Sequence, residues 1–323
     1  MKILLTGGAG FIGSHVARRL LKQGDEVAIV DNFSPYYSPE LKRARMKILL
    51  SGLTYRLYRA DIADFFALEK IFAENKFDKI CHLAAQAGVR YSLTHPEVYE
   101  QTNVAGTLNL LRLCAKYQVP HFVFASSSSV YGLNDNFPSK EDYQTNTPIS
   151  LYAASKIAGE AMLHSYCRTF GIKGTVLRFF NVYGPWVRPD MALFIFTKKI
   201  SAGEPLDVFN YGNSEKDYTY IDDIVAGVLG ALAREFDYEV FNLGNTRPVL
   251  LNAYIELLEK ELGRRAEKNF LPLQLGDVPK SCADISKASR LLGYSPQTRM
   301  EQGVANFVRW YKENVARLNL GKL

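Results

Sequence analysis

The chain opens with MKILLTGGAGFIGSHVARRL (residues 1–20), in which a short apolar run leads directly into a cluster of glycines. Gly7, Gly10 and Gly13 have G-x-x-G-x-x-G spacing, and the apolar periodicity of a helix follows at residues 11–23. Glycines permit a tight turn, a close approach of the backbone to a diphosphate, and a helix whose N-terminal N–H groups face the phosphates. A strand, this turn and a helix in succession predict a dinucleotide site at the carboxyl end of the first strand.

The first half of the chain continues this alternation of β-rich runs and amphipathic helical patterns. Strands are predicted at residues 2–6, 26–31, 54–61, 79–84, 121–126 and 174–181. Helices are predicted between them, among others at residues 11–23, 64–75, 98–117 and 151–170. This order predicts an α/β fold with a doubly wound, mostly parallel Rossmann sheet, whose ligand crevice lies at the carboxyl ends of the strands.

Asp31 stands at the end of the predicted second strand, where a carboxylate can bind the ribose of a dinucleotide. It can accept hydrogen bonds from adenosine hydroxyls and repels a 2′-phosphate, so the sequence favours NAD over NADP. Three cations follow in the chain and weaken that preference: Lys42, Arg43 and Arg45. Asp61 and Ile62 end the third strand and could hold the adenine edge. Asp31 could equally cap a helix, and Asp61 could be an ordinary turn residue.

The pattern changes after residue 181, where prolines and aromatic clusters replace the regular alternation. A helix at residues 222–235 and a strand at 240–243 are predicted to return to the first sheet. Further helices are predicted at residues 251–262, 285–292 and 300–317. We therefore expect an NAD-binding Rossmann domain of residues 1–181, with 222–245 returning to it. Residues 182–221 and 246–323 are expected to form a smaller α/β C-terminal lobe that binds the substrate.

The composition of the 323 residues argues against several classes of protein. Lys plus Arg number 39 and Asp plus Glu 33, a net charge of +6 that is too small to indicate a nucleic-acid partner but suits an anionic phosphate ester. No apolar run approaches the roughly 20 residues of a membrane span, and the N-terminus does not resemble a signal peptide. The four cysteines are dispersed and the histidines form no metal motif, so we expect no metal, no membrane and a cytoplasmic location.

Tyr152 and Lys156 lie four residues apart on a predicted helix and therefore share a face. The phenol of tyrosine has a reference pKa of about 10, but a neighbouring ammonium group favours phenolate and allows it to accept a proton from an alcohol. The serine run at residues 126–129 ends the fifth strand, where a hydroxyl could orient the same alcohol. Alternatively, the pair belongs to an ordinary surface helix beside a serine-rich strand end.

Together these residues resemble the extended short-chain dehydrogenase/reductase family. Within it the chain is similar to the nucleotide-sugar 4-epimerases, and most closely to the UDP-glucuronate 4-epimerases. The similarity extends over nearly the whole chain. Its most specific pieces are AAQAGVRYS (84–92), RFFNVYGP (178–185), RPDM (188–191), DYTYIDD (217–223) and GDVP (276–279).

The resemblance implies a role for individual residues. Tyr152 matches the catalytic base, Lys156 its partner on the cofactor ribose, and Ser127 the catalytic hydroxyl, with Ser128 and Ser129 as close alternatives. The residues that match NAD contacts are Gly7, Gly10, Phe11, Ile12, Gly13, Asp31, Asn32, Asp61, Ile62, Ala84, Gln86, Asn103, Tyr152 and Lys156. The residues expected at the UDP-sugar are Arg90, Ser127, Ser128, Tyr152, Asn181, Arg188, Val208, Phe209, Lys216 and Gln274.

Two residues depart from the pattern of the glucuronate enzymes. Val187 stands where glycine is usual, and Lys216 stands where arginine is usual. Lysine lacks the two-pronged geometry of arginine, so substrate affinity and loop geometry are open to question at these positions.

Arg188 is the residue on which the choice of sugar depends. A guanidinium binds a carboxylate through two parallel hydrogen bonds, and here it could hold the C6 carboxylate of a uronic acid. The alternative is a loop arginine that pairs with Asp190. Arg90 is a second candidate for the anion, or else a surface ion pair.

The sequence thus predicts NAD-dependent epimerisation at C4 of a UDP-sugar through a 4-keto intermediate, most simply of UDP-glucuronate to UDP-galacturonate. A UDP-glucose/UDP-galactose 4-epimerase is the enzymatic alternative, and an NAD-sensing or scaffold protein on the same fold is the non-enzymatic one. The resemblance also favours a homodimer.

Overall fold

The computed structural model of the chain describes residues 1–315 and 317–318. Strands and helices alternate through its first half. The strands are β1 (Lys2–Thr6), β2 (Glu26–Val30), β3 (Arg56–Tyr58), β4 (Lys79–His82), β5 (His121–Ser127) and β6 (Lys173–Phe179). The helices between them are α1 (Phe11–Lys22), α2 (Pro39–Leu49), α3 (Phe65–Ala73), α4 (Tyr91–Thr94), α5 (Pro96–Tyr99), α6 (Gly106–Lys116) and α7 (Leu151–Phe170).

The rest of the chain adds six strands and five helices within the described residues. The strands are β7 (Asn181–Tyr183), β8 (Leu206–Phe209), β9 (Glu215–Tyr220), β10 (Tyr238–Leu243), β11 (Pro248–Leu250) and β12 (Lys268–Leu271). The helices are α8 (Ala192–Ala202), α9 (Ile221–Leu232), α10 (Leu251–Leu262), α11 (Ser286–Leu292) and α12 (Met300–Asn314).

One parallel sheet of seven strands organises the molecule, in the order β10-β6-β5-β4-β1-β2-β3. The chain order reverses between β1 and β4, which leaves a crevice at the carboxyl ends of these strands. One apolar core covers the face with α1 and α9, and a second core covers the face with α3, α6 and α7. The doubly wound α/β fold predicted from the sequence is therefore confirmed.

Two small sheets carry the second half of the chain beyond the main sheet. One has the order β11-β9-β7, and the other pairs β12 with β8 in parallel. The strand predicted at 240–243 does return to the main sheet, where β10 pairs with β6. Residues 316 and 319–323, which belong to the predicted second lobe, lie outside the described residues.

Several predicted boundaries were wrong. The strand predicted at 174–181 is two strands, because the chain leaves the main sheet at Phe180 and starts β7 at Asn181. The helix predicted at 98–117 is interrupted by a π-helical turn at Glu100–Ala105, and the strand predicted at 54–61 shrinks to β3 because it pairs with β2 alone at the sheet edge. Helices α2 and α8 were not predicted.

Within residues 1–315 and 317–318, no helix combines the length and the apolarity that crossing a bilayer requires. The same residues contain no group of three or more His, Cys, Asp or Glu side chains arranged to hold a metal ion.

Candidate active site

A cleft of about 750 Å³ lies at the carboxyl ends of the main sheet. It brings together most of the residues that the sequence singled out. Those that line it are Gly7, Gly10, Phe11, Ile12, Gly13, Asp31, Asn32, Asp61, Ile62, Ala84, Gln86, Ser127, Ser128, Tyr152, Lys156, Asn181 and Arg188. The fold therefore gathers a glycine turn, carboxylates, a phenol, an ammonium and a guanidinium around one space.

The glycine turn is packed so tightly that side chains are excluded from it. A Cβ on Gly13 would lie 2.1 Å from the carbonyl oxygen of Gly7. Gly7 has a φ of +73°, and a Cβ there would lie 2.7 Å from the backbone nitrogen of Ala84. The bare backbone and the N-terminus of α1 thus face the cleft, as the diphosphate of a dinucleotide requires.

Two carboxylates stand beside this turn at the ends of neighbouring strands. Asp31 accepts the N–H of Ala9 at 2.9 Å through Oδ2 and the N–H of Phe33 at 2.8 Å through Oδ1. Asn32 donates to Asp61 Oδ2 at 2.7 Å. The Asp31 carboxylate is fixed to the glycine turn itself, and each of its oxygens keeps a lone pair for a ribose hydroxyl. These residues fit an adenosine ribose.

Of the three cations near Asp31 in sequence, one lines the cleft. Lys42 does so, with its Nζ donating to the Ser34 carbonyl at 2.8 Å. Arg43 pairs with Glu40 on the surface at 3.0 Å. Arg45 is completely buried and is described below with the loop that it holds. Lys42 and Arg45 nevertheless stay close together, 4.7 and 5.2 Å from the centroid of the Tyr37 ring, and of the three cations only Arg43 points away to the surface.

Helix α7 carries Tyr152 and Lys156 in its first two turns. The Ser150 hydroxyl caps the helix by accepting the N–H of Ala153 at 3.1 Å, which fixes where the helix begins. Lys156 Nζ donates to the carbonyl of Ala125 in β5 at 2.8 Å. Burial lowers the pKa of Lys156 to about 7, although the charge of Glu160 raises it. The helix therefore holds both side chains against the end of β5.

Burial raises the pKa of Tyr152, while the nearby Ser127 hydroxyl and the charge of Arg188 lower it. The balance favours the phenol, so the residue needs further positive charge to act as a base near neutral pH. The resemblance described above predicts that Lys156 and an oxidised nicotinamide supply it.

The serine run at the end of β5 divides into separate roles. Ser126 also lines the cleft, but its hydroxyl donates to Glu160. Ser127 donates to the Ser129 hydroxyl at 3.1 Å and is the serine whose hydroxyl acts on Tyr152. Ser128 also lines the cleft. This arrangement supports Ser127 as the hydroxyl that accompanies the base.

A buried ion pair behind the site was not found by sequence reasoning. Glu160 accepts two hydrogen bonds from Arg178, at 3.0 Å from Nε and 2.8 Å from Nη2. Arg178 also donates to the Tyr131 hydroxyl at 3.0 Å. Glu160 follows Lys156 by four residues on α7, and this spacing was the available signal.

The substrate end of the cleft adjoins a smaller cavity of about 130 Å³. Asn181 and Ser128 line both spaces, and Lys216 lines the smaller one. Lys216 Nζ donates to Asp277 Oδ1 at 2.8 Å and also to the carbonyl of Val278. Asn181 and Lys216 are thus adjacent to the cleft, with the lysine already paired.

Five of the predicted site residues line neither the cleft nor the smaller cavity. Asn103 is buried and holds the backbone of Gln86, accepting its N–H at 2.8 Å and donating to its carbonyl at 3.0 Å. Val208 is fully buried in the core, so only its backbone is available to a ligand. The remaining three are the exposed Arg90 and the half-buried Phe209 and Gln274. Their contacts with NAD or substrate stay predictions.

Arg188 lines the cleft and pairs with Asp190 at the same time. Its Nε donates to Asp190 Oδ1 and its Nη2 to Oδ2, both at 3.0 Å. The pairing with Asp190 that was the alternative interpretation is therefore present, and binding of a sugar carboxylate by Arg188 stays a prediction. Val187, where the resemblance expected glycine, is fully buried in the main core.

Arg45 fixes the loop that precedes Arg188. Its Nη2 donates to the carbonyl of Trp186 at 2.7 Å, and its Nη1 donates to the Tyr37 hydroxyl at 2.6 Å and to the carbonyl of Ala9 at 3.3 Å. Trp186 has a φ of +68°, an unusual backbone conformation for a bulky residue. The buried guanidinium of Arg45 thus joins the glycine turn to the loop that precedes Arg188.

Comparison with known proteins places the chain in a family. Residues 3–244 match the family model described as the NAD dependent epimerase/dehydratase family. The chain is 46% identical to UDP-glucuronate 4-epimerase 1 of Arabidopsis thaliana, over 96% of this chain and 76% of that protein.

Two solved structures show the same similarity in three dimensions. The UDP-glucuronic acid 4-epimerase of Bacillus cereus, in complex with UDP-glucuronic acid and NAD, has a TM-score of 0.91 at 36% identity, covering 97% of this chain and 99% of that one. The UDP-glucose 4-epimerase of Thermotoga maritima, with UDP-glucose, has a TM-score of 0.89 at 36% identity, covering 98% and 100%. The chain therefore belongs to the NAD-dependent epimerase/dehydratase family.

Proposed function

We propose that this protein is an NAD-dependent isomerase that epimerises C4 of UDP-glucuronate, giving UDP-galacturonate through a 4-keto intermediate. One observation carries the proposal: Tyr152, Lys156 and Ser127 line the same cleft as Arg188, next to a glycine turn that excludes side chains. The relatives named as UDP-glucuronate 4-epimerases support the same reaction and the same cofactor.

The residues at the first three strand ends fit NAD. The glycine turn would hold the diphosphate, Asp31 the adenosine ribose, and Lys156 the second ribose. When bound there, NAD⁺ would supply the hydride acceptor for C4 and, once reduced, the hydride donor for the opposite face of the sugar. The side chains of this chain carry out the proton transfers.

Tyr152 accepts the proton of the sugar 4-hydroxyl, because Lys156 and the charge of the cofactor favour its phenolate form. Ser127 orients the hydroxyl beside the phenol. Once the 4-keto sugar has turned in the pocket, Tyr152 returns the proton to the new hydroxyl. The side chains end the cycle in the states in which they began it. Because C4 also regains a hydride, the sugar undergoes no net oxidation.

Arg188 makes the uronate the preferred substrate. Its guanidinium lines the cleft and acts on Tyr152, which supports a position near the reacting end of the sugar. A 4-keto uronic acid is a β-keto acid and can lose CO₂. A guanidinium that fixes the carboxylate opposes that loss and selects the charged sugar.

UDP-glucose is the second candidate substrate, favoured by a specific observation. Asp190 already occupies two N–H groups of Arg188, which leaves the cleft less positive than a free arginine would make it. The similarity to the Thermotoga maritima UDP-glucose 4-epimerase points in the same direction. Turnover of both sugars side by side distinguishes the two candidates.

The assembly, location and domain division are further parts of this proposal. A homodimer, a cytoplasmic location and the division into residues 1–181 with 222–245 against 182–221 with 246–323 stay predictions. Light scattering coupled to gel filtration measures the first. Expression of residues 1–181 with and without 222–245 tests the last, because β10 pairs with β6 at the edge of the main sheet.

The proposal is tested by identifying the cofactor and the product. Denaturing the purified protein should release NAD, which mass spectrometry detects. Incubation with UDP-glucuronate, UDP-glucose and UDP-xylose, followed by proton NMR, should show conversion of the uronate to its C4 epimer. Conversion of UDP-glucose alone would favour the second candidate, and no conversion of any of them would contradict epimerisation.

A further inference from the structure

The guanidinium of Arg188 is bound along one edge by the carboxylate two residues later. Asp190 takes the Nε and Nη2 N–H groups at 3.0 Å each. Among residues 1–315 and 317–318, Nη1 has no hydrogen-bond partner, and Nη2 also donates to the Met191 sulfur at 3.6 Å, a weak acceptor that a carboxylate can displace. A guanidinium has five N–H groups, so the end formed by Nη1 and Nη2 can still bind a second carboxylate in two-pronged fashion.

Tyr36 holds Asp190 in place in turn. The Tyr36 hydroxyl donates to Asp190 Oδ2 at 3.0 Å, and Tyr36 and Arg188 both line the cleft. The Tyr36 ring packs on Tyr91 with the centroids 4.8 Å apart, and a Cβ on Gly88 would lie 2.7 Å from the Tyr36 hydroxyl. These contacts leave Tyr36 little freedom to move.

The backbone on the other side of Arg188 is held as well, through the bonds from Arg45 to the carbonyl of Trp186. Tyr36 lies just before α2, and Arg45 lies within it. The loop before Arg188 and the carboxylate after it are therefore both held by the region of α2. The direction of the guanidinium is therefore set by the protein before any substrate enters.

We propose that Asp190 and Tyr36 are positioning residues for Arg188, which determine specificity for a sugar carboxylate by presenting the Nη1–Nη2 end of its guanidinium to the C6 carboxylate. This inference rests on the proposed function, since it deepens the role of the same site. A guanidinium that is already oriented loses less conformational entropy when the substrate binds.

A different use of the same contacts makes the opposite prediction. If Asp190 instead competed with the substrate carboxylate for Arg188, removing its charge would free the guanidinium and tighten binding of the uronate. Repulsion between the two carboxylates acts in that direction too. The sign of the change in affinity therefore separates an orienting carboxylate from a competing one.

The test uses the NAD-loaded protein and the variants Asp190→Asn and Tyr36→Phe. The matched control is Asp237→Asn, which makes the same change at an aspartate that pairs with Lys173 on the surface. Titration calorimetry gives the Kd of UDP-glucuronate and of UDP-glucose. We expect Asp190→Asn to weaken UDP-glucuronate about tenfold and Tyr36→Phe about threefold, with UDP-glucose changed less than about twofold in each.

A second readout follows the stability of the keto acid. In decarboxylation the C5–C6 bond breaks, its electron pair forms the enolate of the 4-keto group, CO₂ leaves, and C5 takes a proton from solvent. A carboxylate that is held less firmly should lose CO₂ more often, so Asp190→Asn should release more CO₂ per epimerised product than the wild type. A purely structural defect would lower both products together.

The outcomes separate the inference from the function on which it rests. If Asp190→Asn binds UDP-glucuronate as tightly as the wild type or more tightly, the positioning role is overturned while the proposed function stands. A wild-type protein that neither binds nor converts UDP-glucuronate overturns both.

Discussion

The two ends of the cleft recognise their ligands by different means. At the cofactor end, recognition depends on closeness of the backbone, because a Cβ on Gly13 would lie 2.1 Å from the Gly7 carbonyl oxygen. At the substrate end we propose that it depends on charged side chains that already have partners, as Arg188 has in Asp190 and Lys216 in Asp277. A steric cradle accepts any ligand of the right shape, whereas paired charges can discriminate between similar sugars.

The largest effect is expected where the two ends meet. Tyr152→Phe removes the only group proposed to exchange a proton with the 4-hydroxyl, so kcat should fall by about 10³-fold. Binding of NAD and UDP-glucuronate should stay near wild type, as measured by cofactor content and calorimetry. Tyr166→Phe, on the same helix, is the matched control. A Tyr152→Phe protein with near wild-type kcat would remove the phenol from the mechanism.

The substrate end should respond selectively to loss of its guanidinium. Arg188→Ala removes two charge-assisted hydrogen bonds to the uronate, and we expect kcat/KM for UDP-glucuronate to fall about 10²-fold. Turnover or binding of UDP-glucose should change by less than about fivefold, because that sugar has no carboxylate. Equal losses on both sugars would show that Arg188 supports the fold rather than selecting the substrate.

The cofactor end should respond to the addition of a single methyl group. Gly13→Ala forces the Gly7 carbonyl to shift, and we expect affinity for NAD to fall about tenfold or more while binding of UDP-glucose changes little. Gly24→Ala is the control: nothing lies within 4 Å of its Cβ position, but its φ of +87° strains an alanine, so it measures destabilisation without crowding of the cradle. Equal loss of NAD in both variants would mean that general destabilisation, and not crowding of the cradle, explains the effect.

The smallest expected effect concerns the tuning of Lys156. Burial lowers its pKa to about 7 and the charge of Glu160 opposes this, so Glu160→Gln should lower the pKa of Lys156 further. Lys156 must be protonated to favour the phenolate of Tyr152, and activity is lost as pH rises through its pKa. The alkaline limb of the kcat/KM profile should therefore move to lower pH.

That profile needs a stability measurement beside it. Glu160→Gln leaves Arg178 buried without its carboxylate, at a cost of about 3 kcal/mol in the free energy of unfolding. Assays at temperatures well below the midpoint of thermal unfolding keep the protein folded. Glu69→Gln, which breaks a surface pair with Lys116, is the control. An unchanged alkaline limb in a folded Glu160→Gln protein would show that Glu160 does not act on Lys156.

The sequence predicted what depends on local patterns. Three elements were predicted to the residue: strand Lys2–Thr6, helix Leu151–Phe170 and helix Leu251–Leu262. Their apolar periodicity and their caps involve residues that are close together in the sequence. The strand at 174–181 was wrong because a continuous apolar run gives no sign that the chain changes sheets at Phe180. The π-helical turn at Glu100–Ala105 has no periodic signal of its own either.

The site follows the same division. The glycine turn and the Tyr152–Lys156 pair are local motifs, and the sequence predicted both. Contacts between distant segments were missed, such as Tyr36 with Asp190 and Arg45 with Trp186. An arginine in a helix such as α2 is expected at the surface, and only the fold shows that Arg45 is buried against carbonyl oxygens.

The central claim, that C4 is inverted by transfer of a hydride within the closed site, is tested most directly by isotope content. UDP-glucuronate is incubated with the protein in D₂O until product accumulates, and C4 of the product is examined by NMR. Because the hydrogen leaves and returns as a hydride that does not exchange with solvent, we expect no deuterium at C4. Deuterium at C4 would show that a proton leaves that carbon instead and would contradict the mechanism.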